Sequence, residues 1–155
     1  MRTLAHPAHH PYDTAIAVEA AVRADISHGW TLSELAAIAH LSPSGLGQLF
    51  TKVHGVSPFT WITHQRVREM ARLLRETCQP VRDIARAVGW ANQAHATQQF
   101  RKLTGRSPTE YRAEVREVAV MVCLWRGHPI DGRDGGGSLR CSVCLGHAPL
   151  LTRRR

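Results

Sequence analysis

Phe50-Thr-Lys-Val-His-Gly55-Val-Ser-Pro-Phe-Thr-Trp61 is answered by Phe100-Arg-Lys-Leu-Thr-Gly105-Arg-Ser-Pro-Thr-Glu-Tyr111, at a constant offset of 50. Upstream, Leu32-Ser-Glu-Leu-Ala36 is answered by Val81-Arg-Asp-Ile-Ala85 at an offset of 49. One residue is therefore gained between the two matched blocks, and turns absorb such gains where helix interiors do not. The chain holds two copies of one supersecondary unit.

Each copy reads as helix, short turn, helix. Thr31-Leu-Ser-Glu34 has the pattern of a capping box, with a hydroxyl and a carboxylate serving unpaired N–H groups. Leu32, Leu35, Ala36 and Ala39 then form an apolar stripe, and His40-Leu41 is the turn. Ser42 is placed to cap a second helix with Pro43 at its first position, where a missing N–H costs nothing. Leu46, Leu49, Phe50 and Val53 share a face, and Gly55 ends the helix. The second copy runs from Val81 to Val88, turns at Gly89, restarts with Asn92 as cap and stops at Gly105.

Between the copies no breaker interrupts Pro58 to Glu76, so a helix of 19 residues is expected, about 28 Å long at ~1.5 Å per residue. Cys78-Gln-Pro80 ends it, and Ser107-Pro108 opens a last helix to about Glu117. Ile16 to Ser27 reads as one more helix ahead of the repeat. The expected fold is all-α: a seven-helix domain over residues 15–117, preceded by a flexible leader (1–14). Residues 118–155 are expected to be a mostly disordered tail, since Gly132-Arg-Asp-Gly-Gly-Gly-Ser138 is linker-like.

The 155 residues carry 20 Lys and Arg against 12 Asp and Glu, a formal charge of +8 that favours polyanionic partners. No apolar run approaches the ~20 residues that cross a bilayer; the longest is Val118 to Trp125. The N-terminus lacks a signal-peptide centre, so a cytoplasmic protein without membrane contact is expected. No phosphate loop, nucleophile elbow or acid pair is present, and neither enzyme chemistry nor a cofactor is expected.

A helix of ~10–12 Å diameter fits the major groove of B-DNA. In a helix-turn-helix the second helix lies there, here Ser44 to His54 and Gln93 to Leu103. Successive major-groove faces of one duplex lie ~34 Å apart, so a stiff connecting helix suits the presentation of both probes to double-stranded DNA.

From Ile16 to Glu117 the chain resembles the DNA-binding domain of the AraC/XylS family of bacterial transcription regulators. Leu35-Ala36, Leu41-Ser42-Pro43-Ser44, Leu49-Phe50, Gly55-Val56-Ser57-Pro58, Arg66, Ala71 and Leu74 carry the likeness in the first half. Ile84-Ala85, Val88-Gly89-Trp90, His95, Phe100-Arg101, Gly105, Ser107-Pro108 and Tyr111-Arg112 carry it in the second. The resemblance implies seven helices, promoter control and contact with RNA polymerase. By position it assigns base contacts to Ser44, Gly45, Gly47 and Gln48, and to Gln93, Ala94, His95 and Gln98. Lys52, Thr97, Arg101 and Lys102 are better placed for phosphates, which fix register without reading sequence.

Some positions depart from the family pattern. Gly45 and Gly47 each cost about 1 kcal/mol inside a helix relative to Ala and offer no side chain to a base. Ala96 stands where the family has a bulkier residue, so a thinner second core is expected. These departures keep an alternative in view, a degenerate helical module that binds DNA non-specifically or binds a protein. Only about 14 residues precede the first helix, and no small-molecule effector domain is expected in this chain.

Cys141-Ser-Val-Cys144 and His147 hold half of a zinc-ligand pattern without regularly spaced partners. They are weak metal candidates, and the expectation is no metal.

Overall fold

The computed structural model describes residues 11–125, 130–133, 138–141 and 147–149. Seven helices follow one another: α1 (Pro11–Ala24), α2 (Leu32–Ile38), α3 (Pro43–His54), α4 (Pro58–Glu76), α5 (Val81–Ala87), α6 (Gln93–Thr104) and α7 (Pro108–Trp125). The long helix between the repeats is unbroken from Pro58 to Glu76, as its lack of breakers predicts. The chain divides into two compact units at Arg66/Val67.

In the first unit the helices close on Val18 and Val22 of α1, Leu35 and Ala36 of α2, Leu46 and Phe50 of α3, and Trp61 and Ile62 of α4. The capping box forms: Thr31 Oγ1 accepts from the Glu34 amide at 3.2 Å, and Glu34 Oε2 accepts from the Thr31 amide at 2.7 Å. The Thr31 hydroxyl, donating to Glu34 Oε2 at 2.6 Å, and then the Thr31 amide hold the Glu34 carboxyl below its ordinary pKa. Arg66 donates to the carbonyls of Ile26 at 3.1 Å and His28 at 2.7 Å, tying the loop ahead of α2 to α4. Burial lowers the pKa of its guanidinium, which stays protonated because arginine starts so high.

The second unit repeats this plan around Val67, Met70, Leu74, Ile84, Ala85, Val88, Trp90, Ala96 and Phe100. Arg112 donates to the Gln79 carbonyl at 2.6 Å, tying down the loop ahead of α5. Tyr111 stacks edge-on against Phe100 with centroids 5.4 Å apart and accepts a hydrogen bond from Arg75 at 2.9 Å.

The two turns show where the extra residue went. In the first, the His40 and Leu41 amides donate to the carbonyls of Ala37 and Ala36; in the second, Gly89 and Trp90 donate to Arg86 and Ala85, still at offset 49. The caps Ser42 and Asn92 are already at offset 50. Ala91 is thus the inserted residue. At the same turn position Gly89 has φ 90° and His40 has φ 52°, the one positive φ outside glycine among the described residues.

Three regions differ from expectation. The first helix runs from Pro11, inside the stretch assigned to a 1–14 leader, to Ala24, short of the expected Ser27, and residues 1–10 lie outside the described ones. α7 continues past Glu117 to Trp125, because no glycine or proline intervenes before Gly127. Beyond it, the region expected to be mostly disordered contains strands β1 (Ile130–Arg133), β2 (Ser138–Cys141) and β3 (His147–Pro149), in one antiparallel sheet of order β1-β2-β3. Ile130 pairs with Cys141 and Arg140 with His147. Of the weak metal candidates, Cys141 ends β2 and His147 begins β3, while Cys144 lies outside the described residues.

Candidate nucleic-acid interface

α3 is held by its apolar side. Leu46, Leu49 and Phe50 are buried, Ser42 Oγ accepts from the Gly45 amide at 3.1 Å, and Gly55 closes the helix at φ 72°. That leaves Ser44, Gln48, Thr51 and Lys52 exposed and Gly45 and Gly47 half-buried. Ser44, Gly47, Gln48, Thr51 and Lys52 together line a shallow concavity on the outer face. A Cβ added at Gly47 would meet nothing within 4 Å. Gly45 is not part of it. A Cβ at that position would meet Ser42 Oγ at 3.3 Å and Leu41 Cβ at 3.7 Å, so Gly45 faces the turn.

α6 is held in the same way. Ala96 and Phe100 are fully buried, Asn92 Oδ1 accepts from the Ala94 amide at 2.7 Å, and Gly105 ends the helix at φ 78°. Gln93, Ala94, His95, Gln98, Arg101 and Lys102 are exposed, and Thr97 is half-buried. With ~3.6 residues per turn, Ala94, Gln98 and Arg101 stand opposite the buried pair. His95 Nε2 lies 3.3 Å from Gln99 Nε2, which steadies the histidine ring along the helix.

Sequence reasoning passed over two of these residues. Thr51 lines the α3 concavity, and its hydroxyl donates to the Gly47 carbonyl at 2.9 Å. Its repeat partner is Arg101, already assigned to phosphate, so the 50-residue register was a signal that could have found it. Gln99 had no such signal.

Charge is uneven on the two faces. Among the described residues Lys52, Arg101 and Lys102 take part in no ion pair. Nearby, Glu110 accepts from the Ser107 amide at 2.8 Å and caps α7. Its carboxyl is held below the ordinary range by those Ser107 bonds first, with Arg101 and Arg106 adding to the effect. No group of three or more metal-ligating side chains occurs among the described residues, and no described helix is long and apolar enough to cross a membrane.

Residues 35–114 match the family model described as a helix-turn-helix domain. The chain is 37% identical over 92 residues to the RCS-specific HTH-type transcriptional activator RclR of Escherichia coli K12, covering 59% of this chain and 32% of that protein. It is 39% identical over 84 residues to the arabinose operon regulatory protein of the same organism, covering 52% and 29% respectively. The chain thus spans about a third of the length of these curated relatives. Among solved structures it is similar to the DNA-binding domain of AdpA, a global transcriptional factor, in complex with a target DNA. That likeness has a TM-score of 0.62 at 29% identity and covers 67% of this chain and 93% of the other. With more than half its length inside the family model and both repeat units in the expected geometry, the chain belongs to the AraC/XylS family of helix-turn-helix DNA-binding regulators.

Proposed function

We propose that this chain regulates transcription by binding promoter DNA sequence-specifically, with α3 and α6 each entering a major groove of the same duplex. One observation carries this reading. Two helices at one repeat register are each pinned by a buried apolar face and a side-chain cap, and each leaves the opposite, polar face exposed. A helix so held is a preorganised probe whose backbone needs no further ordering on binding.

In this reading Gln98 supplies the strongest base contact, since a side-chain amide pairs with the N6/N7 edge of adenine. Gln93, Ala94 and His95 complete the contact surface of α6; Ser44, Gly47 and Gln48 form that of α3. Gly45 faces the turn and is left out of base contact. Lys52, Thr97, Arg101 and Lys102 engage phosphates and set the register. The protein works in the cytoplasm, where its relatives' kind of regulation takes place, and meets RNA polymerase at the promoter.

The test is selection of bound duplexes from random DNA, followed by affinity measurements on the enriched site and on single-base variants. Gln98→Ala is expected to flatten the preference at one base position while leaving the others. Equal weakening on every sequence would refute the assignment. A second reading, in which the first unit binds without reading bases, is favoured by Gly47; an enriched motif confined to one half-site would establish it.

A further inference from the structure

The outer face of α5 carries Arg82 and Arg86, one helical turn apart and both exposed, while Ile84, Ala85 and Val88 point into the core. Arg82 touches the neighbouring Asp83 at 3.3 Å, and that pair is itself well exposed. Arg86 has no side-chain hydrogen bond or ion pair among the described residues. Two like charges at i and i+4 repel each other in the isolated helix, which offsets the gain of Arg86 in the last turn of α5.

The repeat sharpens the contrast. At offset 49 the partners of Arg82 and Arg86 in α2 are Ser33 and Ala37, both uncharged. In the helix pair α2–α3 the one basic side chain outside histidine is Lys52; in α5–α6 they are Arg82, Arg86, Arg101 and Lys102. The two copies of one supersecondary unit thus differ in outward charge, with four Lys and Arg side chains on one helix pair and one on the other.

We propose that the Arg82–Arg86 face of α5 is a further phosphate-binding surface, which makes the second unit the electrostatic anchor on DNA. The proposal rests on the duplex-binding reading above. In a helix-turn-helix the first helix crosses the sugar–phosphate backbone while the second lies in the groove, so this face meets phosphates flanking those reached by Arg101 and Lys102. The α2–α3 pair, with Lys52 as its one Lys or Arg, adds sequence contact and little charge.

The test uses the full chain with Arg82→Gln and Arg86→Gln together, glutamine being a comparable helix former. Binding to a fluorescein-labelled selected duplex, and to a scrambled one, is measured by anisotropy over a salt series. Losing two phosphate contacts should lower the slope of log K against log salt by about 1.8 on both duplexes. The paired lysine variant (Arg82→Lys, Arg86→Lys) should keep the wild-type slope, and circular dichroism should match for all three proteins. A glutamine variant with the wild-type slope overturns the proposal, and loss of RNA polymerase capture by that variant would then assign the face to an acidic protein surface. If the wild-type chain still prefers the selected duplex in that case, this surface alone is wrong. If it never prefers it, the promoter-binding reading fails instead.

Discussion

Leu41 and Trp90 occupy the same position in the two units, directly after the positive-φ residue of the turn, yet Leu41 is 40% exposed and Trp90 only 5%. Five residues further in the first unit Leu46 fills the core, whereas its repeat partner Ala96 contributes one methyl group to the second. The copies have exchanged volume between two sites. The first core takes bulk from Leu46 of α3; the second takes it from the turn, where the Trp90 indole joins the same buried cluster as the short Ala96. Two helices with the same outward placement can thus be held by differently built cores, and a small residue at one core position need not mean a weak unit.

That exchange can be broken at its largest member. Trp90→Ala is expected to cost about 3–5 kcal/mol, as for a buried aromatic truncated in a packed interior. Leu41→Ala, at the partner position but half-exposed, should fall well below that. Denaturant titrations of both variants measure the difference, and equal losses would show that the cores are not built differently.

The next effect concerns the outward faces. Gln98→Ala should cost about 1–3 kcal/mol at one base position. Lys52→Ala should weaken all duplexes alike and reduce the salt slope by about 0.9. Affinity profiling over single-base variants distinguishes the two patterns, and a uniform loss for both would erase the division between reading and anchoring.

The turns themselves differ by a smaller amount. Gly89 adopts φ 90° without a Cβ penalty, but His40 holds φ 52° with one. Gly89→Ala is expected to destabilise the second unit by about 1–2 kcal/mol, the cost of a left-handed conformation for an L-residue. His40→Gly should stabilise the first by less, because glycine gains freedom in the unfolded chain. Thermal melts of the two variants should move in opposite directions; shifts of the same sign would mean that the turn conformations are not equivalent.

The smallest effect is on pH. Glu34 and Glu110 have carboxyls held below their ordinary pKa by capping bonds. A group with a depressed folded pKa stabilises above its unfolded value and loses that contribution as pH falls through the folded one. Both caps should therefore weaken below about pH 4.5, the region of an unperturbed glutamate. Glu34→Gln should blunt the acid sensitivity of the first unit, and Glu110→Gln that of the second. Unaltered acid melting in both variants would count against the capping account.

Much of the fold was legible because the repeat supplies its own control. Gly55 and Gly105, Ser57-Pro58 and Ser107-Pro108, and Phe50 and Phe100 mark the same boundaries twice, and every element between Leu32 and Thr104 lies where these signals put it. Legibility failed where the pattern is unrepeated. α7 outran its expected end because the change at Val118 is one of composition, which by itself stops no helix. The strands from Ile130 onward were hidden because the glycine-rich composition around them reads as linker.

The candidate interface was legible as a set of exposed positions, since helical period decides which side faces the core. Gly45 was the exception: its neighbours Ser42 and Leu41 come from the turn, and folding brings them round in a way that period along one helix does not show. Thr51 was overlooked because a threonine without charge draws no attention until its partner Arg101 is set beside it.

The central claim is that both groove helices engage one duplex. Chemical protection of guanine N7 and thymine, mapped along a selected site with the full chain bound, tests it most directly. The account predicts two protected major-groove patches centred about 10–10.5 base pairs apart, one lost with Gln98→Ala and the other with Gln48→Ala. A single patch, unaffected by changes in α3, would contradict it.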